Sequence, residues 1–137
     1  MVRTTIFVVK LKETIMKIRI KGNSVRFRLT QSEVKTLATE GKIFDSTNFG
    51  TATFTYGVVL TEELDSLGIQ FQNASIILKM PKKEGISWHE NDIVTFDHHL
   101  ALNDTDLYLL LEKDFTCLDN TLEDQSDNYP NPKMTPS

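Results

Sequence analysis

All three histidines of the chain lie within eleven residues, beside aspartates, and this cluster is the first that could do chemistry. Imidazole and carboxylate groups together suit zinc, iron or manganese. A metal-dependent hydrolase could therefore use His89, Asp92, Asp97 and His98. The spacing argues against such a site, because HExxH is absent and the adjacent His98 and His99 would point to opposite faces of a strand. Polar residues around a strand end and a loop are the simpler interpretation, and no cofactor is predicted.

Alternating cations and apolar residues flank the turn pair Gly22-Asn23. Period-two alternation on both sides of such a pair predicts a β-hairpin with one apolar and one charged face. Eight of the fifteen Lys and Arg residues fall in the first 28 positions, against a single acid, Glu13. Like charges directly opposite one another destabilise a sheet by a few tenths to about 1 kcal/mol per pair, so an anion across this surface would relieve it. The cations of the predicted hairpin are Lys17, Arg19, Lys21, Arg26 and Arg28.

Three interpretations of this cationic hairpin stay open. The charges could be the solvated face of a strand pair, where Lys and Arg also discourage aggregation. They could pair with the acidic C-terminal stretch of the same chain, or they could bind an external anionic ligand or protein partner. No GxxxxGK[ST] or GxGxxG motif occurs, which weakens a nucleotide-binding interpretation. The acidic stretch comprises Glu112, Asp114, Asp119, Glu123, Asp124 and Asp127.

Cys117 is the single cysteine, so no intrachain disulfide can form, which fits a reducing compartment. A nucleophilic role is disfavoured, because the acidic neighbour Asp114 would oppose formation of a thiolate. No Gly-x-Ser-x-Gly elbow is present either. We therefore favour a small non-enzymatic binding or accessory domain over an enzyme.

The overall composition narrows the class of protein. A chain of 137 residues with 39% apolar residues is long enough for one domain with a real core. The net charge of −4 argues against generic nucleic-acid binding. No apolar run reaches the roughly 18 residues of a membrane span, and no signal peptide is evident, so we expect a cytoplasmic protein without membrane contact.

The clearest single element is a helix over residues 31–40. Thr30 and Glu33 have the spacing of a capping box, Val34 and Leu37 lie on one helical face, and Gly41 suits a helix C-terminus. Strand patterns cover residues 51–60, 69–72, 75–80, 93–96 and 106–112. Asn73-Ala74, between the second and third of these, is predicted to be a hairpin turn. The predicted fold is α+β: a mainly antiparallel sheet of about six to eight strands, flat or curled towards a barrel, with one helix.

The chain divides into three predicted parts: residues 1–15 as an N-terminal extension or an extra edge strand, a globular domain over residues 16–118, and an acidic, proline-containing irregular tail over residues 119–137. No internal repeat is evident. The charged segment Pro81–Gly85 is predicted to be a loop, with Trp88 returning the chain to the core. The predicted core comprises Ile18, Ile20, Val25, Phe27, Leu29, Val34, Leu37, Phe54, Ile76, Leu78, Phe96, Leu107, Leu109 and Leu111.

Three segments carry a resemblance to a known family. They are MKIRIKGNSVRFRLTQSEV at residues 16–34, EKDFTCL at residues 112–118 and EDQSDNYPNP at residues 123–132. Together they resemble a family of small uncharacterised bacterial proteins, seen mostly in Bacteroidetes, over residues Met16 to Pro132. That family has no assigned activity, so the resemblance implies no functional residue.

Overall fold

The computed structural model describes residues 16–114. In chain order the elements are β1 (Lys17–Lys21), β2 (Ser24–Leu29), α1 (Gln31–Glu40), β3 (Lys42–Asn48), β4 (Thr53–Thr61), β5 (Gly68–Gln72), β6 (Ser75–Pro81), α2 (Lys82–Ser87), a 3-10 turn (Trp88–Glu90), β7 (Thr95–Leu102) and β8 (Thr105–Lys113). The predicted N-terminal extension, Cys117 and the predicted tail over residues 119–137 lie outside the described residues.

The eight strands form two four-stranded sheets. Sheet A has the order β1-β2-β8-β7, and sheet B has the order β3-β4-β6-β5. In each sheet the outer strands pair antiparallel with their neighbours as hairpins, whereas the two central strands run parallel. The predicted α+β, mainly antiparallel fold is confirmed. Within residues 16–114 the strands remain in two sheets and do not close into a barrel.

The chain builds the same hairpin–helix–hairpin unit twice, first as β1-β2-α1-β3-β4 and then as β5-β6-α2-β7-β8. The registers agree: in sheet A Val25 pairs with Leu109, and in sheet B the corresponding Ile76 pairs with Tyr56. The structure therefore contains a repeated unit, although no repeat is evident in the sequence. The repeat is not evident in the sequence because few residues of the two aligned hairpins are identical, Ile18 with Ile69 and Ser24 with Ser75 among them.

One core joins the inner faces of both sheets to α1. Phe27 of sheet A and Tyr56 of sheet B have ring centroids 6.4 Å apart. Most predicted core residues are buried, whereas Ile18, Phe54, Phe96 and Leu107 are partly buried and pack against the core. Ile20 is the exception, with 58% of its surface exposed, because it lies on an edge strand two residues before the hairpin turn at Gly22. Its placement in the core is wrong.

Helix α1 has the predicted bounds and caps. Thr30 Oγ1 accepts a hydrogen bond from the backbone N–H of Glu33 at 3.3 Å, and Glu33 Oε1 accepts one from the N–H of Thr30 at 2.8 Å. Gly41 ends the helix with φ of 79°, in the left-handed region that glycine tolerates. Both local signals in the sequence therefore act as predicted.

The segment after Pro81 is not the predicted loop. Strand β6 ends at Pro81, and the short helix α2 follows at once, continued by the 3-10 turn. A six-residue helix is too short to show a clear helical period, and Gly85 lies against Leu60, where a Cβ atom would clash. Trp88 is buried as expected, and its indole N–H donates to the carbonyl of Ile93 at 2.7 Å. In residues 16–114 neither helix has the length and apolarity of a membrane span.

Candidate anion-binding face

The two strands around Gly22-Asn23 pair as the charge pattern predicts. Lys17 lies opposite Arg28, and Arg19 lies opposite Arg26. Directly opposite residues of an antiparallel pair project to the same face, so the cations lie together on the outer face of sheet A while Val25 and Phe27 enter the core. We call this surface the cationic face; it comprises Lys17, Arg19, Lys21, Arg26 and Arg28.

The first two members of the acidic stretch partly neutralise this face. Glu112 Oε1 lies 3.2 Å from Arg28 Nε and 3.7 Å from Arg26 Nε. Asp114 Oδ2 lies 3.2 Å from Lys17 Nζ. Only 17% and 15% of these two acidic side chains is exposed, so they sit within the surface rather than above it. The other members of the stretch lie outside the described residues.

Within the described residues, carboxylates neutralise the turn end of the cationic face less completely. Arg19 and Lys21 form no ion pair with any other residue of the 16–114 region. The Nε atom of Arg26 is buried, and its ion pair with Glu112 at 3.7 Å is too long for a hydrogen bond. Guanidinium groups bind carboxylate and phosphate oxygens through charge-assisted hydrogen bonds, so this end suits an anion. A small depression here is lined by Arg19, Lys21, Ser24, Arg26 and Leu110.

Polar and aromatic side chains cover the other half of the same sheet face. The Tyr108 hydroxyl donates to Asp97 Oδ2 at 2.6 Å, and this hydrogen bond is the main cause that raises the pKa of Tyr108. His99 stacks on Tyr108 with ring centroids 4.2 Å apart, and its Nδ1 lies 2.7 Å from Asp106 Oδ2. The contacts among these four side chains were not predicted from the sequence. Their only signal is the i, i+2 spacing of Asp97 with His99 and of Asp106 with Tyr108.

Comparison with known protein families assigns the chain to one family. A family model described as a family of unknown function matches residues 16–133. The chain belongs to DUF7009. The DUF7009 match begins at Met16, as the sequence resemblance predicted, and includes the whole cationic face. No curated protein and no solved structure matches the chain.

The DUF7009 domain does not bring the predicted metal ligands together. His89 lies in the 3-10 turn, with Nε2 3.4 Å from Glu90 Oε2, and Asp92 follows in a loop. On β7, Asp97 shares the outer face with His99, whereas His98 lies on the opposite face. Across residues 16–114, no three His, Cys, Asp or Glu side chains are grouped to hold a metal ion.

The repeated unit of the DUF7009 domain provides an internal comparison for the cationic face. Hairpin β5-β6 has the register of β1-β2, with Gly68 opposite Lys79 where Lys17 is opposite Arg28. Four of the five cationic positions are uncharged in sheet B, and only Lys79 keeps a positive charge. The fold is thus built without this charge cluster in its second copy. The sheet B counterparts are Gly68, Gln70, Gln72, Ile77 and Lys79.

Proposed function

We propose that this protein is a non-enzymatic binding module that holds an anionic group at the turn end of its cationic face. Arg19, Lys21 and Arg26 would contact the anion in the small depression beside Ser24. The observation that carries the proposal is the comparison of the two hairpins. The same strand arrangement forms in sheet B with one cation instead of five, so the fold does not account for the cluster.

Repulsion between cations of this face also supports the binding of an anion. Arg19 and Arg26 are directly opposite each other, and a like-charge pair in this position costs a few tenths to about 1 kcal/mol. Glu112 lies 3.7 Å from Arg26, but no described carboxylate pairs with Arg19. A bound anion would offset this repulsion.

The size of the unneutralised region favours a compact anionic group over a long polyanion. Lys17, Arg26 and Arg28 already have carboxylate partners, which leaves Arg19 and Lys21 as the cations without one in the described part of the chain. The net charge of −4 would also repel an extended polyanion. A phosphoryl group fits best, because its oxygens accept hydrogen bonds from both guanidinium and ammonium donors.

Binding of inorganic pyrophosphate, followed by calorimetry and by NMR shifts of the Arg side chains, tests the proposal. We expect affinity to fall as ionic strength rises, and Arg19→Gln to weaken binding by about 10- to 100-fold, as expected for loss of one charge-assisted hydrogen bond. Lys79→Gln is the matched control, because it removes the one cation at an equivalent position of sheet B. Unchanged affinity in Arg19→Gln, or an equal loss in Lys79→Gln, would contradict the proposal.

The chain's own acidic stretch is the second candidate for the anion, and it is favoured by the contacts that Glu112 and Asp114 already make with this face. Replacing Glu123, Asp124 and Asp127 by their amides in the full-length protein separates the two. If the stretch occupies the site, this change strengthens pyrophosphate binding. If the site awaits an external ligand, affinity stays the same.

A further inference from the structure

We propose that two copies of this protein pair through the outer edges of their β5 strands, giving a two-fold dimer. In the region the structure describes, β5 pairs only with β6 and forms one edge of sheet B. An open edge presents unpaired backbone N–H and C=O groups and templates pairing with another chain. Natural proteins usually block such edges with charges, proline or bulges, and β5 carries neither a charge nor a proline.

The other three edge strands differ from β5 in charge. Strand β1 has three cations in five residues, β3 contains Lys42 and Asp45, and β7 contains Asp97 followed by two histidines. Strand β5 is therefore the one edge of the two described sheets without an ionisable side chain. The contrast with β1 is informative, because the two strands occupy equivalent positions of the repeated unit.

The sequence of β5 complements itself in an antiparallel pair centred on Gln70. In that register Ile69 lies opposite the partner's Phe71, and Gln70 lies opposite the same residue of the second copy. Ile69 and Phe71 share one face of the strand, so apolar side chains would meet on that face and amides on the other. Phe71 has 74% of its surface exposed, more than any other large hydrophobic residue of the described region, and this pairing would cover it.

The same register at β1 would be repulsive. Arg19 would face its own copy, and Lys17 would face the partner's Lys21. Directly opposite like charges destabilise a strand pair, so the cations that form the cationic face also keep the β1 edge from self-pairing. The self-complementary sequence of β5 therefore favours it as the dimer edge. The cationic face lies on the other sheet.

Sedimentation equilibrium of the full-length protein over a wide concentration range is the first test. We expect a monomer–dimer equilibrium with little dependence on salt, because no charges meet at the interface. Gln70→Lys would place two ammonium groups opposite each other and weaken dimerisation by about fivefold or more. Ser46→Lys is the matched control, because it adds the same charge to the outer face of β3, the opposite edge of sheet B, and should leave the dimer unchanged.

Disulfide trapping checks the register even if a lysine at position 70 disturbs folding. Opposite residues of an antiparallel pair have Cα atoms about 4.5–5.5 Å apart, within the range that a disulfide spans. In a Cys117→Ser background, Gln70→Cys should form a covalent dimer on mild oxidation, and Ser46→Cys should not. A protein that is monomeric at every concentration, a dimer that Gln70→Lys does not weaken, or equal trapping at positions 46 and 70 would overturn the proposal.

Discussion

Arg26 of sheet A and Ile77 of sheet B occupy the same position in two copies of one strand arrangement. Each lies on the second strand of its hairpin, and each pairs with the middle residue of the first strand: Arg26 with Arg19, and Ile77 with Gln70. One copy thus carries an arginine pair where the other carries a glutamine and an isoleucine. The arginine pair in sheet A is therefore not required for this strand arrangement to form.

This relationship predicts that Arg19→Gln stabilises the protein. The change removes the repulsion between Arg19 and Arg26 and should raise the free energy of unfolding by a few tenths to about 1 kcal/mol at low ionic strength. Urea denaturation at low and high salt measures it, and the gain should shrink with salt because screening already weakens the repulsion. Arg28→Gln is the control: it also removes a like charge opposite Lys17, but it breaks the pair with Glu112 at 3.2 Å and so should not stabilise. A destabilised Arg19→Gln variant would show that the repulsion is not significant.

Leu109 is fully buried at the centre of sheet A, where it pairs with Val25 on one side and His98 on the other. Leu109→Ala should lower the free energy of unfolding by about 2–5 kcal/mol, through lost apolar burial and the cavity left behind. Leu102→Ala on the neighbouring strand is the control, because Leu102 is 41% exposed and should cost much less. Equal effects in denaturant titrations would contradict the described packing.

The turn between β5 and β6 is strained at Ala74. Asn73 and Ala74 both have positive φ, of 51° and 60°, and an L-residue other than Asn, Asp or Gly is disfavoured there. We expect Ala74→Gly to raise the free energy of unfolding by about 0.5–1 kcal/mol, since relief of the strain exceeds the added entropy of the unfolded chain. Asn103→Gly is the control: Asn103 also has a positive φ of 51°, but asparagine tolerates it. Thermal unfolding that ranks the two variants in the opposite order would reject the explanation.

The parts of the fold that could be predicted from sequence are the local ones. The capping box at Thr30 and the hairpins at Gly22-Asn23 and Asn73-Ala74 depend on residues a few positions apart, and all three form. The parallel pairing of β2 with β8 joins Val25 to Leu109, and no local pattern specifies it. The two-sheet arrangement and the internal repeat follow from such distant pairings, so no sequence pattern predicted them.

In the candidate site, too, local features could be predicted from the sequence and distant contacts could not. Alternation on either side of one turn was enough to place the cations on a common face, because register within a hairpin is set by the turn. The contacts of Glu112 and of the Tyr108–Asp97 pair depend on how β8 lies between β2 and β7. The predicted metal set failed to converge because alternation on β7 sends Asp97 and His98 to opposite faces.

Protonation of Glu33 in the cap of helix α1 makes the free energy of unfolding depend on pH. Partial burial raises the pKa of the Glu33 carboxyl above its ordinary value of 4.5, and hydrogen bonds from Thr30 offset this only in part. The folded state therefore binds the Glu33 proton more tightly than the unfolded state. Its contribution to stability is complete below the ordinary pKa and is lost as pH rises through the raised one. Glu33→Gln keeps an oxygen that can accept from the Thr30 N–H but cannot ionise.

We therefore expect Glu33→Gln to gain stability relative to the wild type as pH rises from below 4.5 towards neutrality. Chemical denaturation across that pH range measures the difference in the free energy of unfolding. Glu63→Gln, at an exposed loop position away from the helix cap, is the control for a general effect of removing one carboxylate. A difference for Glu33→Gln that shrinks with rising pH would mean that hydrogen bonding to the charged carboxylate outweighs its burial at this helix end.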